Sequence, residues 1–304
     1  TKKLWAQSVE PAIMYGAIMA GLTSRQLKSI QAIAVRALGY KSSQQCATSI
    51  LAITNGHYSL PAVRFRVEVI FQRLEIIFNE EFDIKPAIRA WQLAKAKIAA
   101  SKQPWALVTG PLQAAIATLI ELGWQPSSPF SWIDDDGRLW EISDAQQCTK
   151  KSADSILRAV RQTALKMVWS QAARHRCSGG LSDIPDITPA KKLHRQFMVD
   201  KKFSHAGMLI KVVSGGLWPQ SRWAEAKNLH CKEGEPLVAT CCTLCGHPYH
   251  DEWHTSYACS KVLEHQSVLD LNTPWIVKRA TRERASTGDN ICHDSYWLRS
   301  LTCK

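Results

Sequence analysis

Apolar residues recur at helical spacing through the first 125 positions. Leu27, Ile30, Ala34 and Leu38 stand three or four apart, with Arg25, Lys28 and Arg36 falling elsewhere. That period predicts a helix with one buried stripe. Thr23 and Gln26 fit a capping box at its start, and Gly39 sits where a C-terminal cap belongs. A second helix is predicted over 61–78, with Val63, Val67, Ile70, Phe71, Leu74, Ile77 and Phe78 as its apolar set. A third is predicted over 86–100. A fourth opens at Gly110-Pro111, with proline at the first helical position, and closes at Gly123. Leu112, Ala115, Ile116 and Leu119 predict one buried stripe along it.

The period then changes. Over 130–142, two short apolar-rich runs flank Asp136-Gly137, a hairpin signal. Helix returns over 153–174, where Ile156, Leu157, Val160, Ala164, Met167 and Val168 form the stripe. Residues 177–189 carry Gly, Ser, Asp and Pro and read as a linker. Beyond them come a short basic stretch (Lys191, Lys192, Arg195), an apolar run over 208–213, a turn at Gly215-Gly216 and a cysteine cluster. A helical stretch over 255–270 and a basic, irregular tail after Pro274 complete the pattern. The expected fold is mainly α, a helical bundle or array with one small β-hairpin and a C-terminal zinc knuckle. Three regions are expected: a helical part over 1–125, the hairpin with a basic helix over 126–180, and linker, knuckle and basic tail over 181–304.

Charge sharpens this picture. The 304 residues are 45% apolar and 21% charged, a globular balance. The longest apolar stretch, 11–22, is interrupted by Gly16 and Gly21 and is too short to span a bilayer. The start lacks a Met and a signal-peptide layout. It reads as a piece of a longer polypeptide, expected inside the cell, nuclear or cytoplasmic. The formal charge is +12, and residues 150–202 hold twelve Lys/Arg against four Asp. Two thirds of the net charge thus sits in one sixth of the chain, which points to an anionic partner. Lys150, Lys151, Arg158, Arg161, Lys166, Arg174 and Arg176 are the candidate phosphate-facing ridge; the plainer reading is a solvated helix face.

Four of the ten cysteines (Cys241, Cys242, Cys245, Cys259) crowd into 19 residues alongside His247, His250 and His254. Cys242, Cys245, His254 and Cys259 are spaced C-x2-C-x8-H-x4-C, a donor set suited to tetrahedral Zn2+. The C-x2-C pair forms a knuckle whose backbone amides can support the sulfurs. Four protein ligands leave no vacant position, which argues for a structural ion. His250 and His247 compete with His254 as the imidazole, and Cys241 competes with Cys242. The run His250-Asp251-Glu252-Trp253-His254 lacks the Glu next to the first His that a zinc hydrolase needs. A zinc deaminase would place its H-x-E upstream of the cysteine pair.

Several segments together are familiar: Pro11 through Tyr15-Gly16, the helix end Val35-Arg36-Ala37-Leu38-Gly39, the run from Gly110-Pro111 to Leu122-Gly123-Trp124, and Cys242-Thr-Leu-Cys245-Gly246 with His254 and Cys259. In that order they resemble the C-terminal part of a non-LTR, LINE-type retrotransposon reverse transcriptase, of the kind found in protist genomes such as those of dinoflagellates. The likeness runs from about Trp5 to Cys259, and the metal spacing is its most specific part. It implies that residues 5–40 correspond to the thumb and that the remainder grips template RNA or target DNA. Polymerisation in such enzymes needs palm carboxylates holding two metal ions. Those would precede Thr1, so the chain is expected to bind nucleic acid without catalysing.

Asp134-Asp135-Asp136 superficially suggests a polymerase palm, but Asp is the ordinary residue of a turn. Twelve tryptophans are expected mainly as core, although aromatics also stack on unpaired bases. Trp132 and Trp140 are expected to face each other across the hairpin. The expected partners are RNA and/or DNA, with no membrane and no small-molecule substrate; the upstream palm of the same polypeptide is a further candidate. The alternatives are a zinc-stapled protein-interaction module and a decayed element without selected function.

Overall fold

Hydrogen-bonded helix accounts for most of the described backbone, and tryptophans fasten several of its elements together. The computed structural model describes residues 5–40, 45–79, 83–142, 150–174, 181, 184–216, 241–248, 254, 259–261, 264 and 302–303. Its helices are α1 (Glu10–Ala20), α2 (Ser24–Ala37), α3 (Ala47–Asn55), α4 (Pro61–Asn79), α5 (Ile84–Ala99), α6 (Pro111–Glu121), α7 (Lys150–Ala173), α8 (Thr188–Val199) and α9 (Phe203–Val213). Its strands are β1 (Gln125–Ser128), β2 (Ser131–Ile133), β3 (Leu139–Glu141), β4 (Pro185–Asp186) and β5 (Thr302–Cys303). The chain divides into two compact units, Thr1–Ser43 with Thr54–Gln171 and Gln44–Ile53 with Ala172–Lys304. Among the described residues no helix is long and apolar enough to cross a membrane.

In the first unit the caps lie where the sequence puts them. The Thr23 hydroxyl accepts from the Gln26 amide, and the Gln26 carbonyl oxygen accepts from the Thr23 amide at 2.8 Å. The Asp83 carboxylate accepts from the Lys85 amide and starts α5. Helix α6 departs from its expected single stripe. Residues 114–119 are all buried, and Leu112 is only partly so. The reason is position: α1, α4, α5 and β1 all pack against α6, so no side of it remains for solvent. Helix α4 buries Val63, Ile70, Leu74 and Ile77 of its expected set and adds Phe65 and Val69, while Phe71 is exposed. The buried face also takes in Arg66, which a hydrophobic pattern cannot register.

The hairpin gains a third strand. The sheet order is β1-β2-β3, antiparallel, with Pro126 opposite Trp132 and Trp132 opposite Trp140. β1 has no apolar alternation and contains Pro126, a residue tolerated in sheets only at an edge. Its edge place explains why the sequence did not announce it. The Trp132–Trp140 pair exists in the register, but the Trp140 ring lies parallel to Trp124, with centroids 6.5 Å apart. The indole N–H of Trp91 donates to the Pro126 carbonyl at 3.1 Å, and that of Trp124 donates to Thr163 Oγ1 at 3.3 Å. These bonds fasten α5 and α7 to the sheet region. None of the seven described tryptophans is exposed, in keeping with a packing role.

In the second unit the start of α3 is tied to the end of α9. The Cys46 amide donates to the Ser214 carbonyl at 3.0 Å, and the Ser214 hydroxyl donates to Gln45 Oε1 at 3.1 Å. Helices α8 and α9 form a hairpin where the sequence pattern indicates only a basic stretch and an apolar run. Ala190 and His194 of α8 and Ala206, Ile210 and Val213 of α9 are buried. The expected helix over 255–270 and the tail after Pro274 lie almost wholly outside the described residues.

Candidate metal centre and basic surfaces

The C-x2-C segment folds as a tight turn. The Gly246 amide donates to the Cys242 carbonyl at 2.8 Å, and the Cys242 amide donates to the His247 carbonyl at 2.8 Å. Gly246 holds φ at +75°, a conformation that side chains resist. The Cys259 amide donates to the His254 carbonyl at 2.7 Å, closing the second half of the cluster. One ligand atom from each of Cys242, Cys245, His254 and Cys259 lies within 4.8 Å of every other. This cluster could hold a metal ion. Cys242 Sγ and Cys259 Sγ are 3.8 Å apart, and Cys245 Sγ is 3.2 Å from His254 Nε2. A tetrahedral ion with metal–sulfur bonds of about 2.3 Å sets its sulfurs ~3.8 Å apart, so the donor spacing fits.

Electrostatics favour a cation here. Burial works to raise the Cys242 thiol. The amides of Cys245 and Leu244, together with the His254 and Cys245 side chains, outweigh it and bring the pKa down to about 6. Cys245 goes the other way. The His247 amide lowers its pKa, but desolvation and the sulfurs of Cys242 and Cys259 give a net rise. One thiolate thus forms readily and makes the next costly, a conflict that a bound cation resolves.

The competing ligands are sorted by this geometry. Cys242, not Cys241, supplies the sulfur in the cluster. The His247 ring stacks on His254, with centroids 4.6 Å apart. His250 and Trp253 lie outside the described residues.

The expected ridge on α7 is less continuous than its composition. Arg158 is exposed, while Arg161 is half-buried with its guanidinium 5.2 Å from the Tyr58 ring centroid. Lys166 is exposed but faces Asp135 at 3.3 Å and Asp136 at 3.5 Å. Burial works to lower its pKa and the two carboxylates raise it on balance. Arg174 is exposed just past the helix end. Lys150 and Lys151 lie in the first turn, but their side chains, like all of Arg176, are outside the described residues. Of the candidate ridge, one cation is thus already paired within the fold. Arg158 and Arg161 share a face, and Lys166 is engaged by the loop between β2 and β3.

The three aspartates all have structural engagements. Asp134 accepts from the amides of Asp136 at 3.0 Å and Arg138 at 2.8 Å, and from the Trp140 indole at 2.8 Å. Asp135 accepts from the Thr163 hydroxyl at 2.6 Å. A second basic surface, on the α8–α9 hairpin, was not among the candidate binding residues. Its local signal was present: Pro189 at a helix start and buried positions 190 and 194 one turn apart. Compared with protein-family models, curated proteins and solved structures, the chain matches none.

Proposed function

We propose that this chain is the zinc-bearing, nucleic-acid-binding region that follows the polymerase domain in a LINE-type retrotransposon reverse transcriptase. The observation that carries the reading is the Cys242–Cys245–His254–Cys259 cluster, whose spacing in the sequence is also the most specific part of the resemblance. Zinc is the ion of choice for three thiolates and an imidazole in tetrahedral array. With four protein ligands its role is structural. Binding energy at such a site is folding energy for the surrounding loops. Arg158 and the half-buried Arg161 support contact with phosphates, and their role is to hold nucleic acid rather than to process it.

A salt-titrated binding assay with structured RNA and with duplex DNA tests the reading. Each phosphate neutralised contributes about −0.9 to the slope of log K against log salt on duplex DNA. A slope of −2 or steeper is expected. Absent or salt-insensitive binding overturns the proposal, and retention of an acidic protein instead would favour an interaction module.

A further inference from the structure

The turn between α8 and α9 contains an anomaly. Lys201 has φ +56°, and among the described residues it is the one non-glycine with positive φ. The Lys202 amide donates to the Phe197 carbonyl at 2.8 Å and the Lys201 amide to the Met198 carbonyl at 3.3 Å. This is a Schellman cap with lysine at the position that glycine fills at least cost. A residue kept in left-handed backbone against its preference directs attention to its side chain.

Around that lysine the hairpin is basic and apolar at once. Residues 188–213 contain six Lys/Arg and one Asp, a net +5. Lys191, Lys192, Arg195, Lys201 and Lys211 are all exposed. None of these five has an ion-pair partner among the described residues, and Lys202 has only a 3.9 Å contact with Asp200. Beside the turn stand Val199, 73% exposed, and Phe203, 61% exposed.

We propose that the tip of the α8–α9 hairpin binds single-stranded nucleic acid, with Lys201 and Lys202 on phosphates and the Phe203 ring against an unpaired base. The inference rests on the nucleic-acid reading above and adds the strand type and the residues. Two cations and a ring are consecutive in the chain, and a nucleotide presents the matching pair, an anion next to a flat apolar face. A duplex hides its base faces in the stack, so an exposed Phe203 has little to meet there. A membrane surface calls for a continuous apolar face. On α9, Met208 instead shares its face with Ser204 and Lys211, at spacings of four and three.

The test uses the full zinc-loaded chain, fluorescence anisotropy and oligonucleotides of about twelve residues, as single-stranded DNA, single-stranded RNA and duplex. The wild type binds single strands more tightly than duplex. Phe203→Ala weakens single-strand binding about tenfold, the range of one base–aromatic stack, and leaves the salt slope unchanged. Phe203→Tyr restores it. Lys201→Gly makes the slope shallower by about 0.7, one phosphate on a single strand, and raises the Tm by relieving the backbone. If the wild type binds single strands and both variants bind as it does, this inference fails while the general reading stands. If the wild type binds neither strand nor duplex, both fail. Displacement of the oligonucleotide by phosphatidylserine vesicles or polyglutamate but not by unlabelled single strand also overturns it.

Discussion

Glu121→Ala isolates the cost of one buried charge in the first unit. Arg66 is 1% exposed. Its Nη1 donates to the Ala62 carbonyl at 2.6 Å and its Nη2 to Glu121 Oε1 at 2.9 Å. Burial lowers the Arg66 pKa and Glu121 counters that, with a net lowering. The group nonetheless remains a guanidinium at any working pH. At 2.9 Å and an effective dielectric near 20, the pair attracts by about 6 kcal/mol, most of it offset by desolvation. Removing one partner of such a pair costs about 3–5 kcal/mol, because the other is left buried and uncompensated. The Glu121 side chain is 22% exposed although its Oε2 is buried, so the pair is partly screened and the lower end applies, about 3 kcal/mol. For a unit of this size one kcal/mol moves the Tm by about 2–4 °C, which predicts a drop of roughly 6–12 °C. Arg66→Met should cost less, about 1–2 kcal/mol, since the carboxylate left behind is less deeply buried than the guanidinium. The double variant Arg66→Met with Glu121→Ala should recover most of the loss. Urea denaturation of the four proteins measures the coupling. A Glu121→Ala loss under about 1 kcal/mol would mean that Glu121 does not balance Arg66 and would refute the reasoning.

Three other outcomes follow from the geometry. Native mass spectrometry of the reduced protein should show one zinc per chain, abolished by Cys259→Ser and kept by Cys241→Ser, because Cys241 is outside the donor set. Burial raises the Asp135 carboxyl, but Thr163 and Lys166 outweigh it and hold its pKa below the ordinary 3.8. Its contribution is therefore present above that value and lost as pH falls through the lower folded value. Asp135→Asn should thus destabilise near pH 7 and have little effect near pH 2, read by urea midpoints; an equal loss at both would contradict the assignment. Gly21 has φ +77°, and a Cβ there would collide with the Trp105 ring. Gly21→Ala should cost about 2 kcal/mol or more in thermal melts, combining backbone strain with a clash.

What the sequence disclosed and what it withheld divide along the reach of the interaction. The α2 capping box and the Pro111 start of α6 are signals confined to one turn, and both elements appear where those signals stand. The metal cluster was legible for the same reason. Its chemistry fixes residue types, and Cys242 and Cys259 are only 17 residues apart. Arg66 was illegible because the partner that permits its burial is 55 residues away. Lys166 looks free for phosphates along its own helix because its partner Asp135 lies 31 residues upstream. The α8–α9 hairpin is faint in the sequence because His194 and two alanines, not large apolar residues, occupy much of its inner face. A histidine on that face breaks the hydrophobic pattern while still packing. Charge counting along the chain therefore does not separate cations that folding pairs, such as Lys166, from those it leaves exposed. A lysine's availability to a ligand depends on the carboxylates that folding brings beside it, and by that criterion Lys201 outranks Lys166.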